Sequence, residues 1–253
     1  MRKNFPILEF DPSRRAIIEP RRIVKWMKVP EHCVVCFFGD VMAQVIAETR
    51  ATVVKNFRWE DGPHPIYEMR WRGKRLAFFH PGIGSSLSAA LLDDVIALGC
   101  HKFIACGGAG VLNREIAVGH IVVPKSAVRD EGVSYHYLPP SREVNATSRA
   151  VVAIKRTLRA HQVDFVVGKT WTTDAPYRET IGKVKLRHAE GCLTVEMEAA
   201  AFFAVAKFRR VVFGQMLYGG DDVSSEKWDS REWNSHSVRE KLFWLAAEAC
   251  LAL

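Results

Sequence analysis

Leu193-Thr194-Val195-Glu196-Met197-Glu198-Ala199-Ala200-Ala201 reads as a short buried strand running straight into a helix of small residues, with two acids at the junction. A carboxylate set into an apolar stretch is costly unless something pairs with it, so the pair marks a site rather than a solvated face. The next apolar run, Val211-Val212-Phe213-Gly214-Gln215-Met216-Leu217, is a second strand, and it too leads to an acid pair, Gly219-Gly220-Asp221-Asp222. The strand–helix–strand pattern continues toward the N-terminus. Cys33 to Phe38 reads as the first core strand, followed by Gly39-Asp40 and a helix from about Val41 to Arg50. Ile66–Trp71 and Arg75–Phe79 read as a hairpin turned by Gly73. Ser86–Leu98 carries Leu91, Leu92, Val95, Ile96 and Leu98 mainly on one helical face and stops at Gly99.

The pattern repeats further on. Lys102–Cys106 is a strand expected to end in a glycine turn, Gly107-Gly108-Ala109-Gly110, and His120–Pro124 is another strand. Arg129 to Pro140 reads as a long polar loop, and Thr147 to about His161 as a helix. The last helix, from roughly Arg231, lines up Leu242, Leu245, Ala246, Ala249 and Leu253. Strands alternating with helices predict an α/β fold. The expected form is a single-domain three-layer α/β/α arrangement with a mixed, mainly parallel central sheet. Residues 1–30, charged and broken by prolines, read as an N-terminal extension, and residues 31–253 as the domain. In such sheets ligands bind beyond the carboxyl ends of the strands, where Gly39, Gly107–Gly110, Glu196–Glu198 and Asp221 all fall.

Bulk properties narrow the function. A chain of 253 residues with 48 % apolar and 25 % charged residues is ordinary for a globular protein with a sizeable core. No apolar run approaches the roughly 18–20 residues that cross a bilayer, and the first residues lack a signal-peptide core. A cytoplasmic protein without a membrane partner is therefore expected. The net charge of +8 favours anionic ligands. Lys and Arg are nevertheless scattered in small groups and form no nucleic-acid-binding motif, so no nucleic-acid partner is expected. Cys33 and Cys36 have CxxC spacing, but within a strand they point to opposite faces. No second CxxC or His pair completes a zinc set, so no metal is expected.

Taken in order, these segments resemble the nucleoside phosphorylase family, which includes uridine phosphorylase, hexameric purine nucleoside phosphorylase and the methylthioadenosine/adenosylhomocysteine nucleosidases. Val195-Glu196-Met197-Glu198-Ala199-Ala200 resembles the family's ribose-binding segment. Gly107–Gly110 with Val118–Val123 is similar to its glycine turn and following strand, Val128–Ser134 to a uridine phosphorylase segment, and Pro81–Ser86 to its Gly-x-Gly turn before a helix. Asp221, 23 residues after Glu198, fits the position of the catalytic aspartate.

The resemblance implies an enzyme of pentosyltransferase type that cleaves the N-glycosidic bond of a purine or pyrimidine nucleoside, with phosphate as the default nucleophile. The alternatives are a nucleosidase using water and a non-catalytic nucleoside-binding protein on the same fold. Glu198 would accept from the ribose hydroxyls, helped by Met197 and Glu196. Asp221 would be the general acid toward the base, with Asp222 as the competing assignment. Gly39, Gly107 and Gly108 would form the phosphate or nucleophile site, and Ala109, Gly110, Tyr177 and Arg178 would face the base. Phosphate is implied as co-substrate and no cofactor, together with a homo-oligomer, dimer or hexamer. The chain departs from the family pattern at the nucleophile. Ala43 and Ala105 stand where phosphate-binding arginines are expected, Gly108 replaces a Ser or Thr, and Gln44 occupies the position of the hydrolases' carboxylate.

Overall fold

A computed structural model describes residues 2–233 and 236–253. After a short turn of helix, α1 (Pro20–Ile23), the chain alternates β1 (His32–Cys36), α2 (Gly39–Thr49), β2 (Thr52–Trp59), β3 (Gly62–Trp71), β4 (Lys74–Phe79) and α3 (Ser85–Leu98). It continues through β5 (Lys102–Val111), β6 (Ile121–Asp130), α4 (Ser134–Tyr137), β7 (Glu143–Asn145), α5 (Ser148–Ala160), β8 (Phe165–Thr173) and α6 (Ile181–Ala189). The last elements are β9 (Cys192–Glu196), α7 (Ala199–Arg209), β10 (Val212–Asp222) and α8 (His236–Leu251).

The apolar runs alternate between two cores, as a strand covered on both faces must. Cys33, Val35, Ala77, Phe79, Phe103 and Ala105 pack toward α3 and α7. Val34, Cys36, Leu76, Phe78, Ile104 and Cys106 pack toward α2, α5 and α8. The two cysteines of the CxxC spacing thus separate onto opposite faces, and all six cysteines are free and buried. Phe202 and Phe213 stack at 4.8 Å within the first core. Burial of each such ring stabilises by about 1.5–3 kcal/mol.

The sheet runs β10-β6-β8-β9-β5-β1-β4-β3-β2, and β10 also pairs with β5. Strands β4, β1, β5 and β10 are mutually parallel along that part, as are β6, β8 and β9. Antiparallel pairing joins β10 to β6, β5 to β9, and β2, β3 and β4 in series. Strand β5 therefore has three neighbours. Its pairing with β1 ends at Cys36↔Cys106, and at Gly110↔Val195 it has moved onto β9. Strands β5, β10, β6, β8 and β9 form a closed ring, and the sheet splits at Gly107–Gly110.

Several boundaries differ from the sequence reading. Gly107–Gly110 is not a turn but the continuation of β5. Glycines within a strand accommodate close approach of neighbouring groups, which a splitting strand needs. Strand β10 continues through Asp222, so Asp221 and Asp222 sit in a ladder with a register shift between Gly219 and Asp222. Arg129 and Asp130 end β6, and Ser134–Tyr137 is a helical turn, so the expected long loop is shorter. Strand β2, pairing along β3, was not foreseen. The last helix begins at His236 rather than near Arg231, and the expected helical residues Asn234 and Ser235 lie outside the described residues. The hairpin turn is as expected, with Arg72 and Gly73 both at positive φ (47° and 74°).

Candidate active site

Strands β8 and β9 run side by side with Thr172 opposite Glu196. Thr172 Oγ1 donates to Glu196 Oε1 at 2.6 Å, and the amides of Glu198 and Ala199 donate to Glu196 Oε2 at 2.7 and 2.6 Å. Ala200 N donates back to Thr172 Oγ1 at 2.9 Å. Glu196 thus caps the start of α7, where free amides and the helix dipole favour an anion. Both its oxygens are taken inside the protein, so it holds the turn that presents Glu198 rather than facing a ligand itself.

Glu198 bridges to the other helix start. Its Oε1 accepts from Gly84 N at 2.6 Å, and Ser85 Oγ donates to Met197 O at 2.6 Å. Besides Gly84 N, the Met197 amide also bears on this carboxyl, and Oε2 has no side-chain partner among the described residues. Burial pushes the Glu198 carboxyl up to about 8, with the neighbouring Glu196 charge adding to it. Burial likewise lifts Glu196 to about 7. A buried carboxyl with one oxygen that no side chain pairs is a group held ready for something outside the chain.

The turn that leads into Gly84 is tied by a residue the sequence reading passed over. His80 Nδ1 accepts from Gly82 N at 3.0 Å, so Nε2 carries the proton and donates to Phe37 O at 3.2 Å. Burial lowers the His80 pKa and keeps the ring neutral. Gly82 is required here: its φ is +76°, and a Cβ would lie 2.3 Å from Leu87 Cδ2. The only sequence signal was a His ending an apolar strand just before Pro81-Gly82.

The two aspartates separate into different roles. Asp222 Oδ2 accepts from Arg231 Nη2 at 2.6 Å and Oδ1 from Ser224 N at 2.8 Å, and these partners hold its carboxyl below the usual range against the opposing effect of burial. Asp221 Oδ2 accepts from Trp228 Nε1 at 2.8 Å. Its Oδ1 lies 3.5 Å from where a Gly110 Cβ would be, and Val195 Cγ1 lies 3.1 Å from the same point. The Asp221 carboxyl therefore sits over the β5–β9 junction, against Gly110 and Val195. Glu179, also missed, lies close enough to feel the Asp221 charge; burial first, then that charge, raises it to about 7.

The remaining expected residues are brought together less completely. Ala109 is buried beside Gly110, while Tyr177 is 99 % exposed and Arg178 is exposed. Gly39 starts α2 with nothing within 4 Å of a would-be Cβ, leaving its helix start open. Gly107 and Gly108 are instead lined by rings: Phe37 and Tyr218 lie 3.1 Å from the respective Cβ positions. Both glycines pair with β10 at Leu217 and Tyr218 along one edge of β5, while the pairing with β1 on the other edge ends at Cys106. The tertiary structure supplies a cation nearby. Arg239 of α8 donates from Nη1 to Asp40 Oδ2 at 2.9 Å, stacks 4.8 Å from the Phe38 ring, and has a buried Nε without a partner among the described residues. Among the described residues no group of three His, Cys, Asp or Glu is placed to hold a metal ion.

The model of the family described as Phosphorylase superfamily matches residues 31–250. The chain belongs to this superfamily. Uridine phosphorylase of Treponema pallidum is 31 % identical over 147 residues, covering 54 % of this chain and 57 % of that protein. Guanosine phosphorylase of Halorubrum lacusprofundi is 27 % identical over 144 residues, covering 57 % and 60 %. The matched regions thus span under two thirds of these relatives. In fold, the superfamily member superposes on uridine phosphorylase from Vibrio fischeri with a TM-score of 0.75 over 89 % of this chain and 94 % of that one, at 19 % identity. AMP nucleosidase from Bacteroides thetaiotaomicron gives 0.74 over 92 % and 96 %, at 20 % identity. The α/β architecture with its mixed sheet is the one these structures share. The match begins at residue 31, where the expected N-terminal extension ends.

Proposed function

We propose that the protein cleaves the N-glycosidic bond of a nucleoside by phosphorolysis, as a pentosyltransferase. The observation that carries this reading is Glu198. It is buried, held at Oε1 by Gly84 N, and without a side-chain partner at Oε2 among the described residues, next to Met197.

In the proposed reaction the Glu198 carboxyl accepts from the ribose hydroxyls, and the cationic sugar that develops as the bond breaks favours the ionised form of this carboxyl, offsetting the burial that raises it to about 8. Asp221 donates a proton to the departing base nitrogen. A phosphate oxygen bonds to C1′ as the C1′–N bond breaks, giving the sugar 1-phosphate and the free base. Ala109, Gly110 and Glu179 line the base side. The open start of α2 and the guanidinium of Arg239 meet the phosphate in place of the arginines absent at Ala43 and Ala105. Trp228 covers the outer edge of Asp221.

Tyr177 and Ile83, exposed at 99 % and 72 % and next in sequence to site residues, support a homo-oligomer in which a second copy completes the rim. We read residues 1–30 as an extension of the domain and the protein as cytoplasmic. Hydrolysis is the second reading, because Tyr218 fills the space beside Gly108 and narrows the site toward a small nucleophile. Incubation with a panel of purine and pyrimidine nucleosides, each with and without phosphate, tests the proposal by chromatography of the released base. Phosphate-dependent release of base with sugar 1-phosphate is the expected result. Equal release without phosphate selects hydrolysis, and release from no nucleoside under either condition overturns the enzyme reading.

A further inference from the structure

The positive charge is unevenly placed. Residues 1–30 hold eight Lys and Arg against three Asp and Glu, a local +5 of the chain's +8. The segment also carries exposed apolar side chains: Ile17, Ile18, Ile23 and Trp26 are 100, 73, 67 and 65 % exposed. Single exposed hydrophobics are ordinary, but four within ten residues interleaved with exposed Arg15, Arg21, Arg22 and Lys25 are not.

This is not a detached tail. The Arg14 guanidinium lies over the Phe208 ring at 4.7 Å and donates to Phe208 O. Arg209 bridges Glu19 at 3.4 Å and Asp93 at 2.7 Å. Val24 is buried in the core beneath α3. Met27 N donates to Leu98 O at 3.0 Å, and Arg75 Nη2 to Lys28 O at 2.9 Å. These inward anchors pin the segment along α3 and α7, so the isoleucines, the tryptophan and the exposed basic residues are presented outward from a fixed platform.

We propose that residues 14–28 are a docking surface for an anionic lipid membrane, with Ile17, Ile18, Ile23 and Trp26 entering the headgroup–acyl boundary and Arg15, Arg21, Arg22 and Lys25 meeting the acidic headgroups. No helix among the described residues is long and apolar enough to cross a membrane, so the contact is peripheral. Charge decides among occupants. A second copy apposing the same segment would bring +5 against +5, which repels. A nucleic acid would match the charge, but three of the four exposed apolar groups are aliphatic and give bases no ring to stack on. An anionic bilayer satisfies both the charge and the aliphatic surface. This inference is independent of the catalytic reading.

The test is co-sedimentation of the full chain with vesicles of phosphatidylcholine alone and of phosphatidylcholine with phosphatidylserine, at low and high salt. Binding is expected only to the phosphatidylserine vesicles, weakening as salt rises. Each basic residue near an anionic surface strengthens partition about five-fold, so Arg21→Gln/Arg22→Gln should weaken binding about 25-fold. Ile17→Ser/Ile18→Ser should weaken it separately, with melting temperature and gel-filtration volume unchanged because both side chains are exposed. Equal sedimentation with both vesicle types, no sedimentation with either, or unchanged binding by both variants overturns the proposal. A smaller assembly for the isoleucine variant would overturn it in favour of an interface between copies. Binding to a single-stranded oligonucleotide but not to vesicles would overturn it in favour of nucleic acid.

Discussion

Replacing Glu198 by Gln separates what this carboxyl costs the fold from what it does for a ligand. The amide oxygen of Gln can still accept from Gly84 N, so the link between α3 and the β9–α7 junction is kept, while the charge is removed at every pH. In the native protein the carboxyl moves from an ordinary 4.5 to about 8, chiefly through burial. The folded state therefore keeps a proton that the unfolded chain releases. The resulting stability is fully present below about 4.5, declines as pH rises, and is gone above about 8. A shift of that size corresponds to about 5 kcal/mol. Because the Glu196 charge contributes to it, we assign about 2 kcal/mol to the single replacement, or about 4–8 °C in melting temperature for a chain of this length. Calorimetry or circular dichroism between about pH 5 and about pH 9 should show the wild type losing that much more stability than Glu198→Gln over the interval. The variant should also lose about 100-fold or more in catalytic efficiency, since the charge-assisted bonds to the sugar are gone. Parallel melting curves for the two proteins across this range would refute the idea that Glu198 is a buried, titrating group held for a ligand.

The two aspartates should respond in opposite ways. Asp221→Asn is expected to cut turnover by about 10²–10⁴-fold with melting temperature unchanged, whereas Asp222→Asn should leave the chemistry and cost about 1–3 kcal/mol in chemical denaturation by stranding Arg231; the reverse pattern would exchange their roles. Arg239→Gln should raise the KM for phosphate about ten-fold while the nucleoside KM stays put, and an unchanged phosphate KM in steady-state kinetics would remove Arg239 from the anion site. Away from the site, Gly168→Ala places a Cβ 2.2 Å from Leu193 Cδ1, an overpacking expected to cost about 1–3 kcal/mol by urea titration; a neutral result would mean that β8 and β9 separate more readily than their pairing indicates.

The order of strands and helices was legible in the sequence because it rests on local patterns. Period-2 and period-3.6 apolar spacing, the Gly73 and Gly99 stops, and the carboxylates in the apolar Leu193–Ala201 run are each legible within a window of about a dozen residues. The same local logic placed Cys33 and Cys36 on opposite faces. It failed where a strand outlasts its apolar run: β5 passes through Gly107–Gly110 and β10 through Asp222 because each is held by pairing with the other. Local pattern alone does not separate Glu196 from Glu198, or Asp221 from Asp222; the preference for Glu198 and Asp221 comes from the family resemblance. Adjacent acids look alike in sequence, and only the packing decides which is spent on a helix start or an arginine and which keeps a free oxygen. Residues that act through distant partners, such as His80 through Phe37 and Gly82, Glu179 beside Asp221, and Arg239 at the start of α2, carry no local signal. Their roles arise because chain closure brings the ends of β4, β8 and α8 to the point where β5 leaves β1 for β9.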